Sequence, residues 1–511
     1  MTATTEPSTT TRARAATDPN GIRTYGGWRR TRGIGLFGLG ATATLVVLAC
    51  AVVPLLGLAV SVRAGLVLAV PCALVATVTC LRVDGVPFSH LVVRRCQWRW
   101  AVARGYTSLR AGVVSEHPSA WQLPGVLAST ELLSVEDGRG GRFGLVRDRS
   151  SGLLTATLRC ASTSTWLVDG ADADAWVANW HSWLASRGFD PLVRWVAVTV
   201  DTAPEPGSTL ARNVTQRLDA DAPADARDLM AELVARSPSA SADVDTRVSI
   251  TFDPSRAGDR LEDLADQAAE VSRSLAGMES ALGECGVTVL ARCTATELAG
   301  CVRVAFDPAS RGDVESVIGT GTTVEEGGPL SWETAGPVAA EEAWDHYRHD
   351  SGTSVSWSWH EAPRQQVTSN VLVRLMSPSR YPKRVTMLYK PMSAGSAARM
   401  LEGQVNAAEF REAYRRSQGR DATARDQADH ERALAAAREE AMGAGVVVMS
   451  LYVTVTVTDL DELPAAVADL ESRADQSKVQ VRRLFGAQSV GFATTLPAGI
   501  YPPFVAGRST R

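Results

Sequence analysis

Lysine is nearly absent from this 511-residue chain: Lys383, Lys390 and Lys478 are the only ones, and arginine supplies the rest of the 52 basic residues. The scarcity excludes a function. A phosphate-binding P-loop needs a lysine directly after a glycine, because its ammonium reaches the β/γ-phosphates that the loop amides cradle. None of the three lysines follows a glycine, so Walker-type nucleotide hydrolysis is excluded. Cysteine is also thin. The eight residues, Cys50, Cys72, Cys80, Cys96, Cys160, Cys285, Cys293 and Cys301, contain no CxxC pair, which argues against a zinc ribbon or dithiol motif. Their one pattern, the even spacing of Cys285, Cys293 and Cys301, fits small buried hydrophobes. No HExxH zinc helix and no GxSxG nucleophile elbow occurs. Net charge is only −4, and outside one short segment no basic stripe interleaves with aromatics, so direct nucleic-acid binding is not expected.

What is present begins with a membrane signal. Residues 1–32 open on the polar "MTATTEPSTTTRARAATDPN" and read as a disordered cytoplasmic tail. Residues 33–81 are apolar for almost their whole length, broken only by Arg63. Spanning a bilayer takes about 20 apolar residues, so this run predicts a two-helix transmembrane hairpin, near 34–56 and 62–81. Its "GIGLFG" at 33–38 formally matches GxGxxG, but no strand precedes it, and close helix packing explains the glycines better. Arginines crowd both flanks, from Arg12 to Arg32 and from Arg82 to Arg110. Positive flanks stay inside, which places both termini and the body in the cytoplasm, in a multi-pass plasma-membrane protein. The segment "FSHLVVRRCQWRWAVARGY" suits either the headgroup layer or a first strand with exposed arginines.

The body reads as α+β, in two lobes. The first, 82–306, shows a hairpin near 142–148 and 152–160, then a helix with Trp176, Trp180 and Trp183 on one face. Strands at 192–201, 245–252 and 286–292 alternate with helices at 222–236 and 258–283. The order ββαβαβ resembles a ferredoxin-like split βαβ arrangement. Residues 307–363, less regular, read as a connecting region, and the glycine-rich "GTGTTVEEGG" within it as a loop. The second lobe, 364–500, repeats the plan: strands at 370–378 and 384–392, a long helical stretch at about 395–441, then strand 446–458, helix 460–475 and strand 478–485. Residues 501–511 read as a tail. In 451–458 Leu451, Val453, Val455 and Val457 alternate with Tyr452, Thr454, Thr456 and Thr458, which predicts a sheet buried on one side only.

The densest polar cluster is "EEAWDHYRHDSG", 341–352. On a helix Glu342, His346 and His349 would share a face, with Asp350 nearby, and a metal site would be geometrically allowed. A polar helix end accounts for the same residues, and no catalytic, cofactor or metal residue is assigned.

The ordered features from "WSWHEAPRQQVTSNVLVRLMSPSRYPKRVTMLYKP" through "EEAMGAG", "LYVTVTVT" and "VQVRRLFGAQSVGF" to the exit "LPAG" carry a resemblance. With the hairpin, they resemble an actinobacterial family of integral membrane proteins found with conjugation and type IV secretion-like machinery. Residues 365–500 also resemble the N-terminal domain of CagE/TrbE/VirB-type conjugation ATPases, in which the "LP" exit leads into the motor domain. Here the sequence ends at Arg511 soon after Pro497. The resemblance implies a non-catalytic scaffold, without a motor, that docks a separate secretion ATPase and other channel subunits at the cell membrane, with self-association of the chain also allowed. A looser expectation sets Arg482, Arg483, Phe485 and Gln488 near a partner-facing edge; a strand end with Phe485 in the core is the other reading of the same residues. An EccE-like component of type VII secretion, likewise with two N-terminal membrane helices and a cytoplasmic body, is the alternative.

Overall fold

The computed structural model describes residues 24–26, 41–83, 86–111, 123–162, 168–204, 214, 217–219, 221–236, 242–257, 263–321, 328–361, 363, 365–417, 424–441, 443 and 445–509. Of the expected tail at 1–32, only 24–26 fall among them, and the glycines at 33–38 lie outside. Two apolar helices come first, α1 (Ala41–Val60) and α2 (Val62–Cys80). Ser61 alone separates them, and its hydroxyl caps α2 by accepting from the Ala64 N–H at 3.1 Å. The helices pack closely: a Cβ on Gly65 would lie 2.3 Å from Leu58 Cδ1. Among the described residues one helix, α2, is long and apolar enough to cross a membrane, and α1 contributes a shorter apolar stretch, Thr44–Val60.

A small ribbon, β1 (Arg82–Val83) with β2 (Val86–Pro87), leads into α3 (Phe88–Ala103). The strand reading of this segment is therefore overturned. Next come β3 (Ser108–Arg110), β4 (Thr130–Glu136), β5 (Arg142–Asp148), β6 (Leu153–Ser162), α4 (Gly170–Ser186), β7 (Val193–Pro204), α5 (Ala224–Arg236), β8 (Ala242–Phe252), α6 (Leu264–Gly283), β9 (Val287–Arg292), α7 (Ala295–Phe306) and α8 (Arg311–Gly319). The second half contains β10 (Ala339–Glu342), β11 (Tyr347–His349), β12 (Gly352–Glu361), α9 (Val373–Met376), β13 (Lys383–Pro391), α10 (Ala394–Ser417), α11 (Ala424–Ala441), β14 (Val447–Val457), α12 (Leu463–Gln476), β15 (Gln480–Arg483), α13 (Gln488–Thr494) and α14 (Pro502–Ser509).

Local chemistry explains several of these. Residues Ala268, Val271, Ser272, Leu275, Met278 and Leu282 put one stripe of α6 into the core at helical spacing. A reciprocal capping box, Thr294 with Glu297, starts α7. In α12 the small residues Ala466 and Ala474 flank Leu470, letting the helix lie close on β14.

Among the described residues thirteen strands form one antiparallel sheet, ordered β3-β10-β11-β12-β14-β13-β7-β8-β6-β5-β4, with β15 also on β12 and β9 also on β6. The expected division into two lobes meets an unexpected join: β7 and β13 pair directly, from Lys383 opposite Thr202 to Tyr389 opposite Val196. The two halves match. Strands β6, β7, β8 and β9 lie in the order β9-β6-β8-β7, and β12, β13, β14 and β15 in the order β15-β12-β14-β13. A hairpin precedes each set (β4–β5, β10–β11), and a helix follows each (α7, α13). Because second strand pairs with second strand antiparallel, the halves are arranged about a quasi-twofold that passes between Thr199 and Thr386, which face each other in register.

Three expectations fail here. The stretch 307–363 is not a connector: it holds α8 and β10–β12, and β12 is the first strand of the second half. Nor is 370–378 a strand. It turns and forms the four-residue α9, whose fully buried Leu375 plugs the core and donates its N–H to Ser477 Oγ at 3.1 Å. Residues 502–509 are a helix rather than a tail; Phe504 packs 5.4 Å from Trp195, beside Tyr501.

The sheet is buried on both faces at its centre, against expectation. One face is apolar: Leu451, Val453 and Val455 meet α12, and Leu158, Val196 and Ile250 meet α4 and α6. Trp180 and Trp183 stack at 5.2 Å within that core. The other face carries hydroxyls, and they pair across strands: Thr155 with Thr251 and Thr157 with Ser249 at 2.9 Å, Ser354 with Thr456 at 2.8 Å, Ser356 with Thr454 at 2.9 Å. At the join Thr199 pairs with Thr386 at 2.9 Å. The covering layer is α7, α13 and residues 495–501. Gly499, in the left-handed region at φ +68°, lies so close that a Cβ would come within 2.0 Å of Thr155 Oγ1. Buried hydroxyls are tolerated because each finds a partner, whereas an orphan costs its full desolvation.

The Thr199–Thr386 pair is directly testable. Thr386→Val should destabilise the chain by about 1–3 kcal/mol, since it strands the buried Thr199 hydroxyl. The double variant Thr199→Val/Thr386→Val should be less destabilised than the single one, measured by denaturant titration in detergent. A double variant weaker by the sum of both singles would show that the hydroxyls do not depend on each other.

Candidate functional site

Gln488, expected to face a partner, is fully buried at the start of α13. Its Oε1 accepts the Ser356 N–H at 2.7 Å, and its Nε2 donates to the Leu484 carbonyl at 3.0 Å. It fills the gap on the edge of β12 between the stretches that pair with β11 and with β15, so no partner reaches it. The other three residues are half-buried. Phe485 stacks on Trp344 with centroids 6.1 Å apart and planes at 21°. The Arg483 guanidinium lies 5.8 Å from Phe485 and 5.7 Å from Trp357, with Asp345 at 3.8 Å. Arg482 stands beside it on β15, opposite Ser358.

This patch is covered by the chain itself. Trp98 of α3 meets Trp344 edge to face at 5.5 Å. Arg95 lies 4.3 Å from the Trp344 ring and 4.9 Å from that of Trp98. Arg94 Nη1 donates to the Phe485 carbonyl at 3.5 Å. Gly486 makes the approach possible: its φ is +66°, its N–H donates to the Trp344 carbonyl at 2.7 Å, and a Cβ there would be 2.5 Å from the Trp344 ring. The helix that follows α2 is thus clamped to the edge where β12 and β15 pair. Away from the clamp, α3 leaves Val92, Val93, Trp100 and Val102 exposed, with Arg104 5.1 Å from the Trp100 ring. Amphipathic rings mixed with cations suit a headgroup layer.

The histidine cluster is not a helix face. Residues 339–349 form the β10–β11 hairpin, with Glu342 opposite Tyr347 and Ala340 opposite His349. His346 is held by Asp345 at 2.9 Å. His349 is fully buried, donating from Nδ1 to the Phe306 carbonyl at 2.6 Å, while Nε2 accepts from Ser354 Oγ at 2.8 Å. Since a carbonyl only accepts, the network assigns the proton to Nδ1 and continues through Ser354 to Thr456. Among the described residues, no three His, Cys, Asp or Glu side chains are grouped to hold a metal ion.

A buried charge cluster sits near the quasi-twofold, and no sequence motif pointed to it. Arg247 donates to Asp201 at 2.7 Å, Asp245 at 2.6 Å and Cys301 Sγ at 3.1 Å. Burial raises the Cys301 thiol and pushes Cys160 up to about 12, so both stay protonated and are poor nucleophiles at neutral pH. A signal was present one strand at a time: Asp201 and Arg247 occupy the same sheet face as the buried hydroxyls.

Two predictions follow from this geometry. Trp344→Ala should free α3, so that trypsin cleaves at Arg95 and Arg99 about tenfold faster, in keeping with ring contacts worth about 1–2 kcal/mol; unchanged cleavage would mean the clamp does not hold the helix. Burial drives the pKa of His349 down to about 4, against the Phe306 carbonyl, which favours the charged form. The folded value lies below the unfolded value of about 6.5. The contribution of neutral His349 is therefore complete above about pH 6.5 and is lost as pH falls toward 4, about 3 kcal/mol in all. Denaturant titrations of wild type and His349→Gln across that window should diverge by this amount; parallel profiles would refute it. No family model matches this chain, and no curated protein matches it.

Proposed function

We propose that this chain is a membrane-anchored, non-catalytic subunit of a conjugative or type IV secretion-like apparatus, and that its body docks a separate secretion ATPase at the cytoplasmic face of the membrane. In this reading α1 and α2 both cross the bilayer, and the two halves of the sheet are duplicated ferredoxin-like lobes. One observation supports the anchor in this reading. Tyr25, which precedes α1, bridges antiparallel to Val367 of the body through two backbone hydrogen bonds of 2.8 Å. Its hydroxyl also donates to Asp174 at 2.8 Å. The segments before and after the helices therefore lie on the same side. A return crossing by α1 fits a crossing by α2, and the arginine-rich flanks support an inward-facing shared side.

The matching strand orders β9-β6-β8-β7 and β15-β12-β14-β13 support the duplicated lobes. The resemblance of residues 365–500 to the N-terminal domain of conjugation ATPases supports the docking role. The clamp of α3 on Trp344 and Phe485 supports an anchor fixed to its body rather than loosely tethered to it.

Epitope tags at Met1 and Arg511 should both resist protease in intact spheroplasts and be cleaved after lysis; cleavage of either tag before lysis would overturn the two-span reading. Affinity purification from mild detergent should recover a conjugative or type IV-like ATPase with other channel subunits. Recovery of a type VII ATPase would favour the EccE-like alternative, and recovery of no secretion component would count against both.

A further inference from the structure

Helix α3 has two faces, and the clamp uses one of them. Leu91, Arg95 and Trp98, at spacings of four and three, are half-buried, and Arg95 and Trp98 meet Trp344. The opposite face is bare. Val92, Cys96, Trp100 and Ala103 recur at spacings of four, four and three, with Val93 beside them. All five are exposed, Trp100 by 55%. This apolar stripe runs the length of the helix. Arg99 borders it on one side and Arg104, just past the last turn, on the other; both are exposed. The Arg104 guanidinium lies 5.1 Å from the Trp100 ring, and Tyr106 meets that ring edge to face at 5.6 Å.

Position and charge identify what the stripe meets. Residues 81–87 are all that separates α2 from α3, and they are drawn tight: β1 pairs with β2, and the Phe88 N–H donates to the Leu81 carbonyl at 2.8 Å. The start of α3 therefore sits at the end of α2, the described helix that is long and apolar enough to cross a membrane. Between Val86 and Arg110 there are five arginines and no Asp or Glu. An apolar protein surface would match the stripe alone. An anionic bilayer surface matches the stripe and its cationic borders together. A helix of this kind lies in the interface, its apolar side sunk about 5–10 Å and its arginines among the headgroups. Each arginine near such a surface strengthens association about fivefold.

We propose that the outward face of α3 is a lipid-binding surface that seats the body on a bilayer carrying anionic phospholipid, with Val92, Val93, Cys96, Trp100 and Ala103 at the acyl boundary and Arg99 and Arg104 on the phosphates. The inference rests on the anchor in the proposed function and adds a lipid class to it; it does not use the ATPase-docking role. The full-length chain tests it in vesicles of phosphatidylcholine alone and of phosphatidylcholine mixed with phosphatidylglycerol, each doped with lipid brominated on its acyl chains. Bromine quenches tryptophan only at short range, so the quenching that disappears in Trp100→Leu reports that ring. This quenching should be at least about fivefold stronger with phosphatidylglycerol than without it. Arg99→Gln/Arg104→Gln, which leaves the stripe in place, should lose the dependence on phosphatidylglycerol. Val93→Asp, at an exposed position, should weaken Trp100 quenching in both vesicles. Equal quenching in the two vesicles, or an unchanged phosphatidylglycerol dependence in the double Gln variant, would overturn the anionic-lipid assignment. Absence of Trp100 quenching from both would overturn the lipid surface and leave the stripe to a protein subunit. Alkaline carbonate applied to the same vesicles separates this result from the anchor. A chain that is stripped overturns the anchor and this inference with it, whereas a retained chain without Trp100 quenching overturns this inference alone.

Discussion

The pairing of β7 with β13 is the contact on which the architecture depends. Each strand is the second of its half, so without the other each would present an open sheet edge, with its row of unpaired N–H and C=O groups. Joined, they make one sheet of thirteen strands. The join also brings Thr199 against Thr386 and completes a line of hydroxyl pairs that runs through both halves. Each such pair contributes about 0.2–1 kcal/mol, a modest gain, but every hydroxyl in the line would be a liability alone. The strand pairing and the polar face thus specify one register, because a one-residue slip would turn the hydroxyls into the apolar core.

That polar face also explains where charge gathers. Asp201, Arg247 and Arg384 stand among the hydroxyls, on the side covered by α7 and α13, and His349 reaches the same layer through Ser354. An apolar layer could not hold these groups; one lined with hydroxyls can, provided each is answered.

The apolar helices α1 and α2 lead into α3, and α3 is held by rings and a guanidinium rather than by a long linker. Tyr25 fastens the residues before α1 to the same body. The body is therefore fastened to the chain on both sides of the apolar helix pair.

Much of this was legible in the chain. The period-two runs at 142–160, 193–204, 245–252 and 447–457, and the helical stripes of α4, α6 and α12, are local patterns that burial of one face imposes on neighbouring residues. The alternation S-V-S-W-S-W at 354–359 is equally regular, but its polar half is serine, a residue as common in loops as in strands. The run at 371–376 misled in the other direction: its residues are apolar because Leu375 fills a core beneath α12, not because they pair. What the sequence determined by itself was the identity of most elements and the apolar hairpin. Only the tertiary structure decided that β7 meets β13, that the threonine face is covered, that α3 occupies the edge with Phe485, and that His349 is a core residue. Each of these depends on what lies opposite a residue far along the chain, and a local pattern encodes which face is polar but not what will cover it.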